Sequence, residues 1–125
     1  TALIYAARCG HERMVDLLLQ HGAEINLQNS DGSTALMYAA RSGHERVVEV
    51  LLQHGAEINL QNSDGSTALM YAARSGHERV VEVLLRRGAE INLQGSKVTA
   101  LMAAANKGHE QVVELLLQRG AEINL

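Results

Sequence analysis

The chain repeats itself at a fixed interval, and that limits its fold more than any other feature. Thr1-Ala2-Leu3, Thr34-Ala35-Leu36 and Thr67-Ala68-Leu69 recur 33 residues apart, and Thr99-Ala100-Leu101 follows after 32. Gly10-His11, Gly43-His44, Gly76-His77 and Gly108-His109 recur in step, as do Gly22-Ala23-Glu24-Ile25-Asn26 and the copies beginning at Gly55, Gly88 and Gly120. Residues 34–52 are identical to residues 67–85. Such a period marks a stacked array, in which each unit is one supersecondary element that cannot bury its apolar face alone. The units fall at about 1–33, 34–66, 67–98 and 99–125, within one domain spanning 1–125.

One unit can be read directly. Thr34 is placed to cap a short helix over Ala35 to Arg41, and Gly43 to stop it in a left-handed conformation. A second helix is expected from about Glu45 to His54, with Val47, Val48, Leu51 and Leu52 on one side and Glu45, Glu49 and Gln53 on the other. Gly55 ends it. Ala56 to Ser66 reads as extended and turn-rich, with Asp64-Gly65 as a hairpin signal. Isolated helices below about 12–15 residues are marginal in water, so these depend on their neighbours. With no Phe or Trp, and only Tyr5, Tyr38 and Tyr71 as aromatics, the core must be Leu, Val, Ile and Ala, which suits closely stacked helices.

In Thr34-Ala35-Leu36-Met37-Tyr38-Ala39-Ala40, Gly43-His44, Val50-Leu51-Leu52 and Gly55-Ala56-Glu57-Ile58-Asn59 the chain resembles the ankyrin repeat family over essentially its whole length. The resemblance implies an all-α fold, an ankyrin-repeat α-solenoid of helix-turn-helix units with β-hairpin fingers. Ala2, Ala35, Ala68 and Ala100 stand where the family favours Pro, and Ile4, Met37, Met70 and Met102 where it has His. The third finger, Gly95-Ser96-Lys97-Val98, is one residue short and lacks Asp-Gly, so its turn should differ.

The function implied is non-catalytic binding of another protein through the finger tips and the concave face of the first helices. The corresponding finger positions are Ser30, Asp31, Ser33, Ser63, Asp64, Ser66, Ser96 and Lys97. Those on the helices are Arg8, Cys9, Met37, Arg41, Ser42, Met70, Arg74, Ser75, Asn106 and Lys107. Met37 with Arg41, and Met70 with Arg74, are i, i+4 pairs on one helix face. They read either as a ladder of recognition residues or as methionines packed between repeats beside arginines paired with the finger aspartates. Leu51 followed by Asn59, with the same spacing at Asn26 and Asn92, resembles the setting of ankyrin asparagines modified by an asparaginyl hydroxylase. The alternative is that these asparagines hydrogen-bond the hairpin backbone.

Other classes are disfavoured. A net charge of −3 with no basic stripe speaks against nucleic acid. No apolar run approaches the ~20 residues needed to span a bilayer, and Thr1 opens inside a repeat with no leader pattern. Cys9 is the only cysteine, which suits a reducing, cytoplasmic or nuclear setting. Four of the six histidines occupy the same turn in separate repeats, so a metal centre is not expected, nor is a cofactor. An active site needs one asymmetric constellation, whereas the polar residues here recur in each unit. The near-identity of adjacent units also suits an engineered or idealised scaffold with no natural partner. The first and last units retain apolar residues at the ends of the stack, so a monomer with weak head-to-tail self-association is expected.

Overall fold

The computed structural model describes residues Thr1–Leu125. It contains eight helices, in order α1 (Ala2–Arg8), α2 (Glu12–Gln20), α3 (Ala35–Ser42), α4 (Glu45–Gln53), α5 (Ala68–Ser75), α6 (Glu78–Arg86), α7 (Ala100–Asn106) and α8 (Glu110–Gln118). Each first helix starts where a threonine side chain replaces a missing intrahelical partner. The hydroxyls of Thr1, Thr34, Thr67 and Thr99 accept from the main-chain N–H of Ile4, Met37, Met70 and Met102 at 3.1, 3.3, 3.2 and 3.2 Å. Gly43 and Gly76 end α3 and α5 in left-handed conformations, φ 77° and 76°.

The helices form two layers. α1, α3, α5 and α7 lie side by side, α2, α4, α6 and α8 form a second row, and each first helix packs on its own second helix. The first layer is rich in alanine (Ala39, Ala40, Ala72 and Ala73 are fully buried), and small side chains let its helices approach closely. Leu51, Leu84 and Leu116 with Val47, Val48, Val80 and Val81 fill the space between layers. Each fully buried side chain of this kind contributes about 1.5–3 kcal/mol, and here that depends on coverage by the adjacent repeat.

Polar bonds join successive repeats at equivalent positions. His44, His77 and His109 direct Nε2 at the carbonyl oxygens of Arg8, Arg41 and Arg74, at 2.9, 3.0 and 2.9 Å. A carbonyl can only accept, so Nε2 carries the proton in each. The same rings press on the glycine one repeat earlier: a methyl group on Gly10, Gly43 or Gly76 would lie 2.7 Å from the ring of the following histidine. The Gly-His turn is thus an inter-repeat joint. Asn26, Asn59 and Asn92 likewise accept, through their side-chain carbonyls, from the N–H of Glu57, Glu90 and Glu122 at 2.9, 3.0 and 2.9 Å.

The expected β-hairpin fingers are not confirmed, since no strand forms, although main-chain bonds from Asn29 to Ser33 and from Asn62 to Ser66 close the first two turns at 2.9 and 3.0 Å. In the first, the Asn29 side-chain carbonyl accepts from the N–H groups of Asp31 and Ser33 at 3.2 and 2.9 Å, and Asn62 does the same for Asp64 and Ser66 at 3.1 and 2.9 Å. Side-chain acceptors therefore satisfy amides that a hairpin would commit to a ladder. The shortened third finger differs as expected. Gly95 and Val98 exchange main-chain bonds at 2.9 and 2.9 Å as an isolated antiparallel bridge, and Ser96 and Lys97 take left-handed φ of 49° and 69°. Two central residues with positive φ make the tight turn that so short a loop requires.

Candidate protein-binding face

The first helices and the fingers present one face of the stack. Arg8, Arg41 and Arg74 occupy the last turns of α1, α3 and α5, where a cation also complements the helix dipole, and all are exposed. The Arg8 guanidinium lies 4.9 Å from the Tyr5 ring centre. The Tyr71 ring is approached by two, Arg41 at 5.8 Å and Arg74 at 5.4 Å. Two of the three tyrosines are held in turn by the fingers, with Asn29 and Asn62 donating to the hydroxyls of Tyr38 and Tyr71 at 2.9 and 2.7 Å.

The arginines do not pair with the finger aspartates. The ion pairs are Arg46–Glu12 (3.4 Å), Arg79–Glu45 (3.9 Å), His54–Asp16 (3.0 Å) and Arg119–Glu82, all joining second helices of adjacent repeats or their ends. Charges on the outer row thus bridge repeats, while those of Arg8, Arg41 and Arg74 meet only aromatic rings. Asp31 and Arg41 do line a common cavity of about 30 Å³, together with Ser33, Met37, Tyr38 and Tyr71.

Not every expected site residue reaches the surface. Ser30, Asp31, Ser63, Asp64, Ser96 and Lys97 are exposed on the fingers, and Cys9, Ser42, Ser75, Asn106 and Lys107 at the ends of the first helices. Cys9 is a free thiol. Met37 and Met70 are 2% and 3% exposed, so they belong to the core rather than to a recognition ladder. A first helix has neighbours on both flanks and a second helix beneath it, which leaves an exposed strip too narrow for both members of an i, i+4 pair. Ser33 and Ser66 are 5% and 6% exposed because the fingers fold back on themselves, and Asn62 donates to the Ser33 hydroxyl at 3.2 Å. The Ser63 and Ser96 hydroxyls donate to the main-chain carbonyls of Asp31 and Asp64 at 2.6 and 2.7 Å, tying fingers together.

The sequence reading overlooked Tyr5, Tyr38 and Tyr71 as part of this face. One signal was present: in the fourth unit Ala103 replaces the tyrosine where Gly95 replaces the finger asparagine. The two partners of one hydrogen bond are lost together.

Helix pairs stacked through equivalent joints, with one polar face left unpaired, define a helical repeat scaffold. The chain belongs to the ankyrin repeat family: the family model described as ankyrin repeats (3 copies) matches residues 1–62 and 54–125. No curated protein matches it. Ankyrin repeats are generally protein-interaction modules rather than enzymes. No helix is long and apolar enough to cross a membrane.

Proposed function

We propose that this chain is a non-catalytic scaffold that binds another protein inside the cell, through the exposed ends of the first helices and the finger tips. The observation that carries the reading is a difference between recurring residues. The histidines, the asparagines at 26, 59 and 92, and several second-helix carboxylates recur because they join repeats. Arg8, Arg41 and Arg74 recur in the first three units, with Asn106 in the fourth, stay exposed and enter no ion pair. Arginine and tyrosine, with tryptophan, are the residues enriched where protein interfaces concentrate their binding energy. Photo-cross-linking groups placed at Ser42 and Ser75, against controls at Glu49 and Gln53, test it in cell extract. Adducts confined to the first pair support the reading, and adducts confined to the second overturn it.

The near-identity of residues 34–52 and 67–85 favours a second reading, an idealised or engineered scaffold without a natural partner. Such a chain gives no specific adduct at either pair of positions in any extract.

A further inference from the structure

The charges are not distributed evenly over the two sides of the stack. The first helices with the residue that follows each, and the finger tips (residues 29–33, 62–66 and 95–98), carry five basic residues, Arg8, Arg41, Arg74, Lys97 and Lys107, against two acidic ones, Asp31 and Asp64, with Glu24, Glu57 and Glu90 in the loops that lead to the tips. That leaves six basic and twelve acidic residues elsewhere, out of the chain's 11 and 14. A protein of net charge −3 therefore presents one basic face, whose cations are free of carboxylate partners. Building on the protein-binding reading above, we propose that this face takes an acidic peptide segment in the polyproline II conformation, with a carboxylate at every third residue.

The spacing follows from the stack. Packed helix axes lie about 8–10 Å apart, so the backbone positions of Arg8, Arg41 and Arg74 on successive first helices recur at about that interval, while the Arg41 and Arg74 guanidiniums converge on the Tyr71 ring in the unbound chain. A polyproline II helix has three residues per turn and rises about 3.1 Å per residue, which brings every third side chain to the same face at about 9 Å. A β-strand repeats its face every second residue, at about 6.6 Å or about 13 Å, and falls out of step. An α-helix matches the interval only at every seventh residue, about 10.5 Å. The rings favour the polyproline form, because pyrrolidine-rich segments dock between aromatic side chains. Tyr5 is 61% exposed, and the hydroxyls of Tyr38 and Tyr71 are fixed by Asn29 and Asn62, so those two rings are oriented before any peptide arrives. The finger aspartates set one edge of the path. Asp31 shares a cavity with Arg41, so its charge repels an acidic peptide and confines it to the helix side.

Fluorescence anisotropy with labelled synthetic peptides tests this on the whole chain. A peptide of repeated Glu-Pro-Pro should bind at least about tenfold tighter than repeated Glu-Pro, repeated Lys-Pro-Pro, or a helical peptide with Glu at every seventh position. Raising the ionic strength from about 0.05 to about 0.3 M should weaken it several-fold. Arg41→Glu with Arg74→Glu should abolish binding while the chain still unfolds cooperatively, at a midpoint lowered modestly by the lost stacking on Tyr71 and the reversed charge at the helix ends. Asp31→Asn with Asp64→Asn should tighten it about two- to fivefold, the amide keeping the turn acceptor while removing the charge. Equal affinity for the different spacings, preference for the helical peptide, or no binding at about millimolar peptide would overturn the proposal. Cross-linking of a partner at Ser42 and Ser75 would stand in each of these cases, so failure here is distinct from failure of the scaffold reading.

Discussion

The second repeat and the fourth are built on the same positions but differ in what covers them. In the second, the third repeat lies against α3 and α4. Gly43 supports the His77 ring, Glu45 meets Arg79, and the Asn59 side chain accepts from Glu90. In the fourth, Gly108 has φ 75°, close to the 77° of Gly43, but a methyl group there would meet nothing within 4 Å. Tyr38 and Arg41 are matched by Ala103 and Asn106, which lack both ring and charge. The glycine and asparagine of the joint persist in the fourth unit as Gly108 and Asn124 although they meet no neighbour there, whereas Arg41 and Ser42 give way to Asn106 and Lys107. The residues proposed for recognition thus vary where the residues of the joint do not.

The glycines offer the sharpest break in this comparison. Alanine at either Gly43 or Gly108 must adopt a left-handed φ, costing about 1–2 kcal/mol. At Gly43 the new methyl would also displace the His77 ring and break its bond to the Arg41 carbonyl, worth about 1 kcal/mol more, before any loss of packing. Gly43→Ala should therefore destabilise by about 3 kcal/mol and Gly108→Ala by about 1–2 kcal/mol in urea unfolding. Equal losses would mean that the Gly-His joint does not couple repeats.

Much of this architecture was legible in the sequence, because its signals are local. Thr34 and Gly43 mark their helix within one residue, since a capping hydroxyl and a left-handed stop act within a single turn. The finger conformation was less legible. Asp64-Gly65 is a hairpin signal only when alternating apolar residues flank it, and here Asn62 supplies side-chain acceptors in their place. The methionines misled for another reason. Helical spacing tells which residues share a face, but the burial of that face depends on how many repeats flank it, and α3 and α5 each have two. The stacking of Arg41 on Tyr71 joins adjacent repeats and has no signature within one unit, whereas Arg8 on Tyr5 and Arg74 on Tyr71 are i, i+3 pairs within one helix.

A smaller effect is expected at the asparagines. Asn59→Ala removes an acceptor from the Glu90 N–H and should cost about 1 kcal/mol, whereas Asn124→Ala, whose position receives no such bond, should change stability by less than about 0.5 kcal/mol. Thermal unfolding of the two variants measures the difference. A loss at Asn124 as large as at Asn59 would show that the side chain stabilises its own loop rather than the joint between repeats.

The weakest expected effect concerns the two ends of the 125-residue chain. The bonds made by His44, His77 and His109, and those accepted by the Asn26, Asn59 and Asn92 side chains, run one way, with the donor in the later repeat and the acceptor in the earlier. At the last repeat the Asn106 carbonyl and the Asn124 side chain occupy the acceptor positions, and at the first the His11 ring and the Glu24 N–H occupy the donor positions. Apolar residues accompany them: Met14 and Leu17 are 49% and 51% exposed at one end, Leu117 and Ile123 39% and 70% at the other. A chain of these 125 residues is therefore expected to continue the stack of another, in a heterologous contact that need not close into a ring. With only one repeat interface formed, and the rigid-body entropy of association opposing it, a Kd of about 1 mM is expected. Sedimentation velocity should then show a slow rise in apparent mass as the protein is concentrated toward that value. Gly108→Ala, mild in its effect on stability, would place a methyl where the His11 ring of the next copy must rest, and should remove the rise. Leu117→Glu should do the same by charging the apolar end. A chain that stays monomeric to about 1 mM, or a Gly108→Ala variant that associates as well as the parent, would show that the ends do not reproduce the joint used inside the stack.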